Sequence, residues 1–196
     1  MANSNITKNA LAAALKELMN EIPFEKINIS QISEKCHMNR KSFYYHFKDK
    51  YDLMNWIFDT EFFAVTKNYS DEQTYEERFL HIKEICCYFY ENRIFYRNAL
   101  QFRGQNSFVE HFREYIQPVM KERILFYLEE AEHGEIDEFA LDFLTDAIVC
   151  AFERWLTDKN CMQPEQFVAK FEKLIMITAR LVLNEVEKLN TAEANF

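Results

Sequence analysis

The amino-acid sequence predicts an all-α protein, with a three-helix unit at the N-terminus followed by a helical bundle. Only 2 Gly and 3 Pro occur among its 196 residues, which leaves few sites for the tight turns of β-hairpins. Apolar residues recur at helical spacing along most of the chain, and 16 % of all residues are aromatic, enough to fill a large core. Residues suited to helix N-caps precede three segments within the first 50 positions.

Charge is distributed unevenly along the chain. The formal net charge is −9 and the pI is near 5.1, which by itself argues against a polyanion as partner. Residues 1–50, however, hold 8 Lys/Arg and 5 Asp/Glu, whereas residues 51–196 hold 15 Lys/Arg and 27 Asp/Glu. A net charge of +3 therefore precedes a net charge of −12. This split indicates an N-terminus that faces nucleic acid on an acidic body, with chance variation as the alternative.

The first predicted helix runs from about residue 6 to residue 19. Leu11, Leu15, Leu18 and Ile22 lie at i, i+4, i+7 and i+11, which places them on one face. Pro23 is expected to end the helix, because proline lacks the backbone N–H that a helix interior needs.

Three caps delimit the helices that follow. Asn28, with Gln31 three residues later, forms a capping box. Asn39 caps the next helix, and Asp49 opens a longer one. Two short helices joined by a tight turn form a helix-turn-helix arrangement, in which the helix after Asn39 is the recognition helix.

This second short helix is suited to the major groove of DNA. Phe43 and Phe47 lie at i, i+4 and are expected to face inward, so the polar residues between them face outward. Base readout needs hydrogen-bond donors in the first turn, and phosphate contacts need cations and hydroxyls. The alternative is a solvated basic turn without a ligand. The residues predicted to bind DNA on this chemistry are Asn39, Arg40, Lys41 and Ser42, with the Tyr44–Tyr45 pair beside them and Lys50 on a neighbouring phosphate.

The remainder of the chain is predicted to be helical and to form a second domain. Helices are expected at about 74–91, 93–101, 106–132, 136–157 and 164–189. The predicted organisation is a helix-turn-helix DNA-binding domain at 1–50, a connecting helix at 51–70, and a dimerisation and effector-binding domain at 71–196.

The last two predicted helices carry apolar arcs wider than one core contact needs. We therefore expect them to pack on their own domain and on a second copy of the chain, as a four-helix bundle across a two-fold axis. The alternative is deep burial within a single core. The residues predicted at the dimer interface are Phe143, Ala147, Ala151, Phe167, Phe171 and Leu174.

Catalysis, metals and membranes have little support in the sequence. No Gly-rich phosphate loop, nucleophile elbow or His-rich metal motif occurs, so we expect no enzyme activity, no cofactor and no metal. Five Cys without C-x-x-C spacing indicate free thiols in a reducing cytoplasm. Cys86–Cys87 is either a thiol sensor or a pair of buried small hydrophobes, and the apolar surroundings favour burial. No uncharged apolar run is long enough to cross a membrane.

Residues 6–63 resemble the DNA-binding domain of the TetR/AcrR family of bacterial transcriptional regulators. The motifs that carry the resemblance are ISE at 32–34, MN at 38–39 and FYYHFKDKYDL at 43–53. The flanking tracts FEKI at 24–27 and NWIF at 55–58 are most similar to the subgroup labelled dihydroxyacetone-kinase regulators. A C-terminal tract that includes FERWL at 152–156 also resembles the dimerising helices of the family, less specifically.

The resemblance implies roles for individual residues. It implies that residues 39–42 read bases and that Tyr44 and Lys50 hold phosphates. It also implies that Asn28, which we count among the DNA-binding residues, anchors the end of the preceding helix. His37 replaces the usual turn glycine, so a residue other than Gly is expected at positive φ. Lys41 replaces a common glycine and adds a cation, which is expected to shift the operator preference.

The predicted function is a sequence-specific DNA-binding regulator, with repression as the expected output. It is expected to act in the cytoplasm as a homodimer on a palindrome-like double-stranded operator, with half-sites about 34–36 Å apart or a multiple of that. One DNA-binding domain alone binds weakly, with a Kd of about 10⁻⁵ M. When two such domains are linked in a dimer at an effective concentration near 10⁻³ M, the overall Kd falls to about 10⁻⁷ M. The family resemblance implies a small-molecule effector bound in an aromatic pocket of the C-terminal domain. The alternative is a regulator or adaptor whose C-terminal domain binds a partner protein.

Overall fold

The computed structural model describes residues 2–66, 75–102, 107–130 and 138–174, and every regular element in these ranges is helical. The expected breaks between helices at 103–105 and 133–135, and residues 175–189 of the last predicted helix, lie outside the described residues. The elements are α1 (Ala2–Glu21), α2 (Ile29–Lys35), α3 (Arg40–His46), α4 (Lys50–Thr66), α5 (Tyr75–Glu91), α6 (Arg93–Gln101), α7 (Phe108–Glu130) and α8 (Glu138–Thr157). Residues 164–174 are also helical and form α9.

The N-terminal helices pack around the face predicted for α1. Leu11 and Leu15 are fully buried and Leu18 nearly so, which confirms the predicted stripe. The helix ends at Glu21, two residues before Pro23, as expected because proline disfavours a helical conformation in the residue before it. A short 3-10 helix at Phe24–Lys26 then follows, for which the sequence carries no clear signal.

Helix α4 is the central element of the described core. It begins at Lys50, where the Asp49 carboxylate accepts hydrogen bonds from the backbone N–H groups of Tyr51 and Asp52, both at 2.9 Å. Phe58 and Phe62 on its inner face are buried and contact rings from later helices. The rings around Phe58 belong to Phe62, Phe89, Tyr96, Phe108, His111, Phe112 and Tyr115.

Polar contacts fix α7 against α8. The Arg113 guanidinium donates to the carboxylates of Asp146 at 2.6 Å and Asp142 at 2.9 Å, and Gln117 donates to Asp142 at 2.6 Å. The two carboxylates raise the pKa of Arg113, so the guanidinium stays charged. Pro118 interrupts the hydrogen-bond ladder of α7 without ending the helix.

One cluster of buried apolar side chains runs from Leu11 in α1 to Val168 in α9. The two predicted domains are therefore joined by continuous packing through α4 and α6. The boundaries at residues 50 and 70 remain predictions, and α4 crosses the first of them by a single residue. In the described ranges, no helix is both long and apolar enough to cross a membrane.

Candidate nucleic-acid interface

Caps set the bounds of α2 as the sequence predicts. The Asn28 side-chain oxygen accepts the Gln31 backbone N–H at 3.0 Å, and the Gln31 side chain accepts the Asn28 N–H at 2.9 Å. This reciprocal pair satisfies two of the donors that a helix start leaves without partners. Asn28 therefore anchors the N-terminal end of α2, and its place among the DNA-binding residues remains a prediction.

The turn between α2 and α3 depends on His37. This residue has a φ of 55°, as the family resemblance implies, and it is the only residue with positive φ in the part of the chain that the structure describes. Its N–H donates to the Glu34 carbonyl at 3.0 Å, and the next N–H, of Met38, donates to the Ser33 carbonyl at 2.8 Å. These two bonds form a Schellman motif, which ends α2 and directs the chain into α3.

A His37→Gly variant is expected to be more stable than the natural protein. A left-handed backbone conformation costs a residue with a Cβ about 1–2 kcal/mol, and the greater freedom of Gly in the unfolded chain offsets part of that gain. We expect a net gain of about 0.5–1 kcal/mol, seen as a rise of about 1–4 °C in Tm. His37→Ala is the control, because it keeps the Cβ; an equal rise in that variant would contradict the argument.

Helix α3 presents one buried side and one exposed side. Phe43 and Phe47 are 0 % and 3 % exposed, which confirms that both rings face inward. Tyr44 and Tyr45 are 51 % and 83 % exposed, and Arg40 and Lys41 are exposed as well. The Arg40 guanidinium lies 6.0 Å from the centroid of the Tyr44 ring. We call the four residues Arg40, Lys41, Tyr44 and Tyr45 the α3 face.

Asn39 and Ser42 are engaged with each other at the start of α3. The Asn39 side-chain oxygen accepts the Ser42 backbone N–H at 2.9 Å and lies 3.2 Å from the Ser42 hydroxyl. This confirms Asn39 as the N-cap. It also occupies the acceptor that Asn39 would use toward an adenine, so the cap competes with the predicted base contact.

Lys50 occupies a place that the sequence analysis did not predict. Its ammonium donates to the backbone carbonyls of Phe24, Glu25 and Ile27 at 2.8, 2.9 and 2.7 Å. All three N–H donors are therefore used inside the protein, where they fix the start of α4 to the 3-10 helix. Burial lowers the pKa of Lys50, and the nearby charge of Glu25 acts in the opposite direction. In this geometry Lys50 has no N–H left to donate to a phosphate, and its role is to link the start of α4 to the 3-10 helix.

A Lys50→Met variant is expected to lose stability rather than phosphate contacts. Hydrogen bonds from a charged donor contribute about 1.5–3 kcal/mol, so Tm should fall by about 3–12 °C. The salt dependence of DNA binding by the folded variant should match that of the natural protein. Lys48→Met, which changes an exposed neighbour, is the control. If the slope of the logarithm of the binding constant against the logarithm of the salt concentration fell by about 1 per half-site while Tm stayed unchanged, the phosphate role would be supported instead.

The α1 helix contributes to the same surface. A shallow groove lies between its N-terminal part and α3, and its lining includes Thr7, Met38, Lys41, Tyr45 and His46. Thr7, Met38 and His46 were missed as candidates, because no local pattern shows that α1 passes beside α3. The Lys8 ammonium, on the same helix, lies 5.6 Å from the centroid of the Phe47 ring.

The predicted dimer-interface residues fall into two groups. Phe143 and Leu174 are 64 % and 61 % exposed, and Ala147 is also exposed. Ala151 and Phe171 are partly buried. Phe139, at 76 % exposure, and Cys150 extend the exposed row along α8. We call the row Phe139, Phe143, Ala147 and Cys150 the α8 strip.

Phe167 is a different case, because the structure buries it inside the protomer. It is 8 % exposed, and its ring stacks on Trp155 with centroids 4.2 Å apart and planes at 9°. The Trp155 indole N–H in turn donates to the Met162 carbonyl at 2.8 Å. The placement of Phe167 at the dimer interface is therefore corrected: its ring fixes α9 on α8 and has little surface left for a second chain.

The cysteines do not favour a sensor. The five thiols are free, and Cys86 is fully buried. Burial raises the pKa of Cys86 to about 12 and also raises that of Cys87. Thiols held in the protonated form react slowly, which agrees with a packing role for this pair.

The fold and the exposed helix α3 define a helix-turn-helix DNA-binding protein. The family model described as bacterial regulatory proteins, tetR family, matches residues 10–56, and one described as a transcriptional regulator C-terminal region of the same family matches residues 76–177. The second match alone spans just over half of the chain. The chain therefore belongs to the TetR family of bacterial transcriptional regulators, which is a family of regulators and not of enzymes.

Individual relatives agree with this assignment. The chain is 27 % identical over 157 residues to the HTH-type dhaKLM operon transcriptional activator DhaS of Lactococcus lactis. The aligned region covers 79 % of this chain and 81 % of the relative. A solved structure of the dihydroxyacetone kinase operon activator DhaS shares the fold with a TM-score of 0.63 at 20 % identity, over 90 % of this chain and 97 % of that one. These matches confirm the resemblance that the motifs and flanking tracts predict.

The fold also matches that of a TetR-family regulator from Syntrophomonas wolfei. Its TM-score is 0.70 at 13 % identity, with 88 % of this chain and 96 % of that chain covered. At this identity the likeness shows the fold alone.

Proposed function

We propose that this protein is a sequence-specific transcriptional regulator that inserts α3 into the major groove of a palindrome-like operator. The observation that carries the proposal is the two-sided character of α3, with Phe43 and Phe47 buried behind it and the α3 face open to solvent. Arg40 and Lys41 supply cationic donors for guanine edges, and Tyr45 supplies a ring and a hydroxyl at the far end of the helix. Tyr44 is assigned to a flanking phosphate, and Ser42 stays among the residues assigned to base readout.

The proposed assembly is a homodimer formed through the α8 strip. Phe139 and Phe143 expose large rings on one side of a helix whose other side is in the core. Members of the family usually act as dimers, and a two-fold axis through this strip makes each copy bury the rings of the other. Ala147 allows two such helices to approach closely.

We assign one role to each of the three predicted domains. Residues 1–50 bind the operator, residues 51–70 connect, and residues 71–196 dimerise and receive the controlling signal. Because the operator lies on the bacterial chromosome, the proposed place of action is the cytoplasm. Catalysis is not part of the proposal, since operator binding alone accounts for the α3 face.

The proposed output is repression controlled by a small effector. A dimer that covers promoter DNA excludes polymerase without any further contact, so repression is the simpler output of the site. The Lactococcus relative is described as an activator, which makes activation the second outcome that a test must detect. A reporter fused to the upstream region should rise on deletion of the gene if the protein represses, and fall if it activates.

A partner protein is the second candidate for the controlling signal. Four phenylalanine rings pack against one another in the middle of the described core, and each is at most 6 % exposed. They are Phe58, Phe89, Phe112 and Phe152. These rings pack against one another in the described core, which supports a controlling signal received at the surface. Thermal shifts with metabolite mixtures would support the small effector, whereas a co-purifying protein that changes operator affinity would support the partner.

Footprinting on the DNA upstream of the protein's own gene tests the proposal as a whole. We expect two equally protected half-sites related by a palindrome, about 34–36 Å or a multiple of that apart. Random duplex of equal length is the competitor. If the dimer prefers its own upstream DNA no more than the random duplex, this operator assignment fails.

A further inference from the structure

A partly buried ion pair joins the DNA-binding helices to the body of the protein. The Lys16 ammonium on α1 lies 2.7 and 2.6 Å from the two carboxylate oxygens of Glu61 on α4. The two side chains are 26 % and 35 % exposed. Glu61 follows the Asp49 cap by three turns of helix, far from the α3 face along the chain. The pair is therefore partly buried between α1 and α4, and neither of its residues lies on α3.

Residues of α5 and α6 complete this cluster. The Tyr88 hydroxyl donates to Glu61 at 3.1 Å and is hydrogen-bonded to the Tyr96 hydroxyl. Asn92, at the junction of α5 and α6, accepts from the Lys16 ammonium at 3.3 Å. We call Lys16, Glu61, Tyr88, Asn92 and Tyr96 the junction cluster. It links one helix of the DNA-binding unit to three helices that belong to or lead into the body.

The surroundings keep the phenols of this cluster protonated. Burial raises the pKa of Tyr88 and that of Tyr96 well above the usual value, and the nearby carboxylates act in the same direction. Each phenol therefore remains a donor across the physiological range. A neutral donor, a carboxylate and an ammonium satisfy one another, so loss of one member leaves a partly buried group without its partner.

We propose that the Lys16–Glu61 pair and its partners Tyr88 and Asn92 position the DNA-binding unit relative to the body, and thereby set the spacing between the two α3 helices of the dimer. This inference rests on the proposed dimeric reading of a bipartite operator. Lys16 and Glu61 are positioning residues, since neither is on the α3 face.

The geometry supports positioning over a purely local role. Outside this cluster, the body also holds α1 by its last turn, where the Asn98 side chain donates to the Met19 carbonyl at 3.0 Å. Two contacts at different points of one helix, at Lys16 and at Met19, define the direction of α1 as well as its location. Loss of the Lys16 contact removes one of these two points, so that the unit can turn on its apolar contacts.

Binding to operators of altered spacing tests the inference. Affinities of the full-length dimer are measured for one half-site, for the operator at its natural spacing, and for an operator with about 5 extra base pairs, which is half a helical turn. The natural protein is expected to prefer the natural spacing by about 100-fold or more over the lengthened one. In Lys16→Met and Glu61→Gln, this ratio should fall about tenfold while the half-site affinity stays within about twofold.

Matched variants separate positioning from general damage. Lys35→Met breaks the 3.2 Å pair with Glu17 inside the DNA-binding unit, and Lys83→Met breaks the 3.5 Å pair with Glu165 inside the body. Both should keep the spacing ratio of the natural protein. Tyr88→Phe, which removes a single hydroxyl, should reduce the ratio in the same direction and keeps the test valid if Lys16→Met folds poorly.

The outcomes distinguish this inference from the function on which it rests. Unchanged ratios in both Lys16→Met and Glu61→Gln would overturn the inference, as would an equal loss of half-site and full-operator affinity. A natural protein without any spacing preference would overturn the bipartite reading itself, and this inference with it. A reduced ratio in the junction variants, with the control variants unchanged, is the result that we expect.

Discussion

A variant that carries Arg40→Ala and Lys41→Ala should lose specific operator binding and keep its fold. Good donor pairs to base edges contribute about 1–3 kcal/mol each, and a dimer presents both residues twice. Even if one residue per half-site carries the readout, the loss is about 2–6 kcal/mol, or about 30-fold to 10⁴-fold in Kd. Fluorescence anisotropy with the natural operator and with random duplex measures this loss. The affinities of the variant for the two DNAs should become similar.

The fold should survive because both side chains are exposed at the start of a helix whose packing depends on Phe43 and Phe47. Tm should therefore remain within about 1 °C of that of the natural protein. The matched control is Lys121→Ala with Lys159→Ala, which removes the same charge from exposed positions of the body. If the control loses as much affinity as the α3 variant, the effect is one of net charge, and the assignment of the α3 face is contradicted.

A Phe143→Glu variant should be monomeric and, for that reason, a weak DNA binder. Phe143 is 64 % exposed in the protomer, so the change has little effect on the folded chain. At a two-fold interface, however, it places two carboxylates in an apolar contact, where unpaired charge is strongly unfavourable. Sedimentation should show a monomer. Operator affinity should fall by about 10²–10⁴-fold, the gain that linkage of two heads provides.

Two further phenylalanines make this test specific. Phe63 on α4 is 67 % exposed, so Phe63→Glu is the same change on another surface and should leave a dimer. Phe167 stacks on Trp155, so Phe167→Glu should unfold the C-terminal helices rather than yield a folded monomer. A dimeric Phe143→Glu protein, or a monomeric Phe63→Glu protein, would contradict the α8 strip as the interface.

The reactivity of Cys150 gives a second measure of the same surface. The thiol lies exposed on the α8 strip, whereas Cys86 is buried in the core. A maleimide should label Cys150 quickly in the Phe143→Glu monomer and slowly in the natural dimer. Labelling at equal rates in both proteins would argue for an interface elsewhere.

The sequence predicted the DNA-binding helices well because their signals are local. A cap such as Asn28 or Asn39 acts on an N–H three residues away, so residue type and spacing are enough to place it. The inward placement of Phe43 and Phe47 follows in the same way from one helical turn. The positive φ of His37 is of another kind, since only the family resemblance indicated that a glycine usually stands there.

Contacts distant in sequence were the ones that the sequence did not reveal. Lys50 lies 23 to 26 residues from the carbonyls that it binds, and the 3-10 helix that presents them has no strong signature. The pairing of Lys16 with Glu61, 45 residues apart, is equally invisible to any local pattern. Phe143 and Phe167 both lie on wide apolar arcs, and only the position of Trp155 shows which one is internal.

Replacement of single guanines in each half-site by 7-deazaguanine tests most directly whether α3 lies in the major groove. This change removes the N7 acceptor and leaves base pairing intact, so only a donor in that groove senses it. At one position per half-site, we expect a loss of about 5-fold to 100-fold in affinity for the natural protein and no further loss for Arg40→Ala or Lys41→Ala. Equal sensitivity of the natural protein and both variants, or insensitivity of the natural protein at every guanine, would contradict the account.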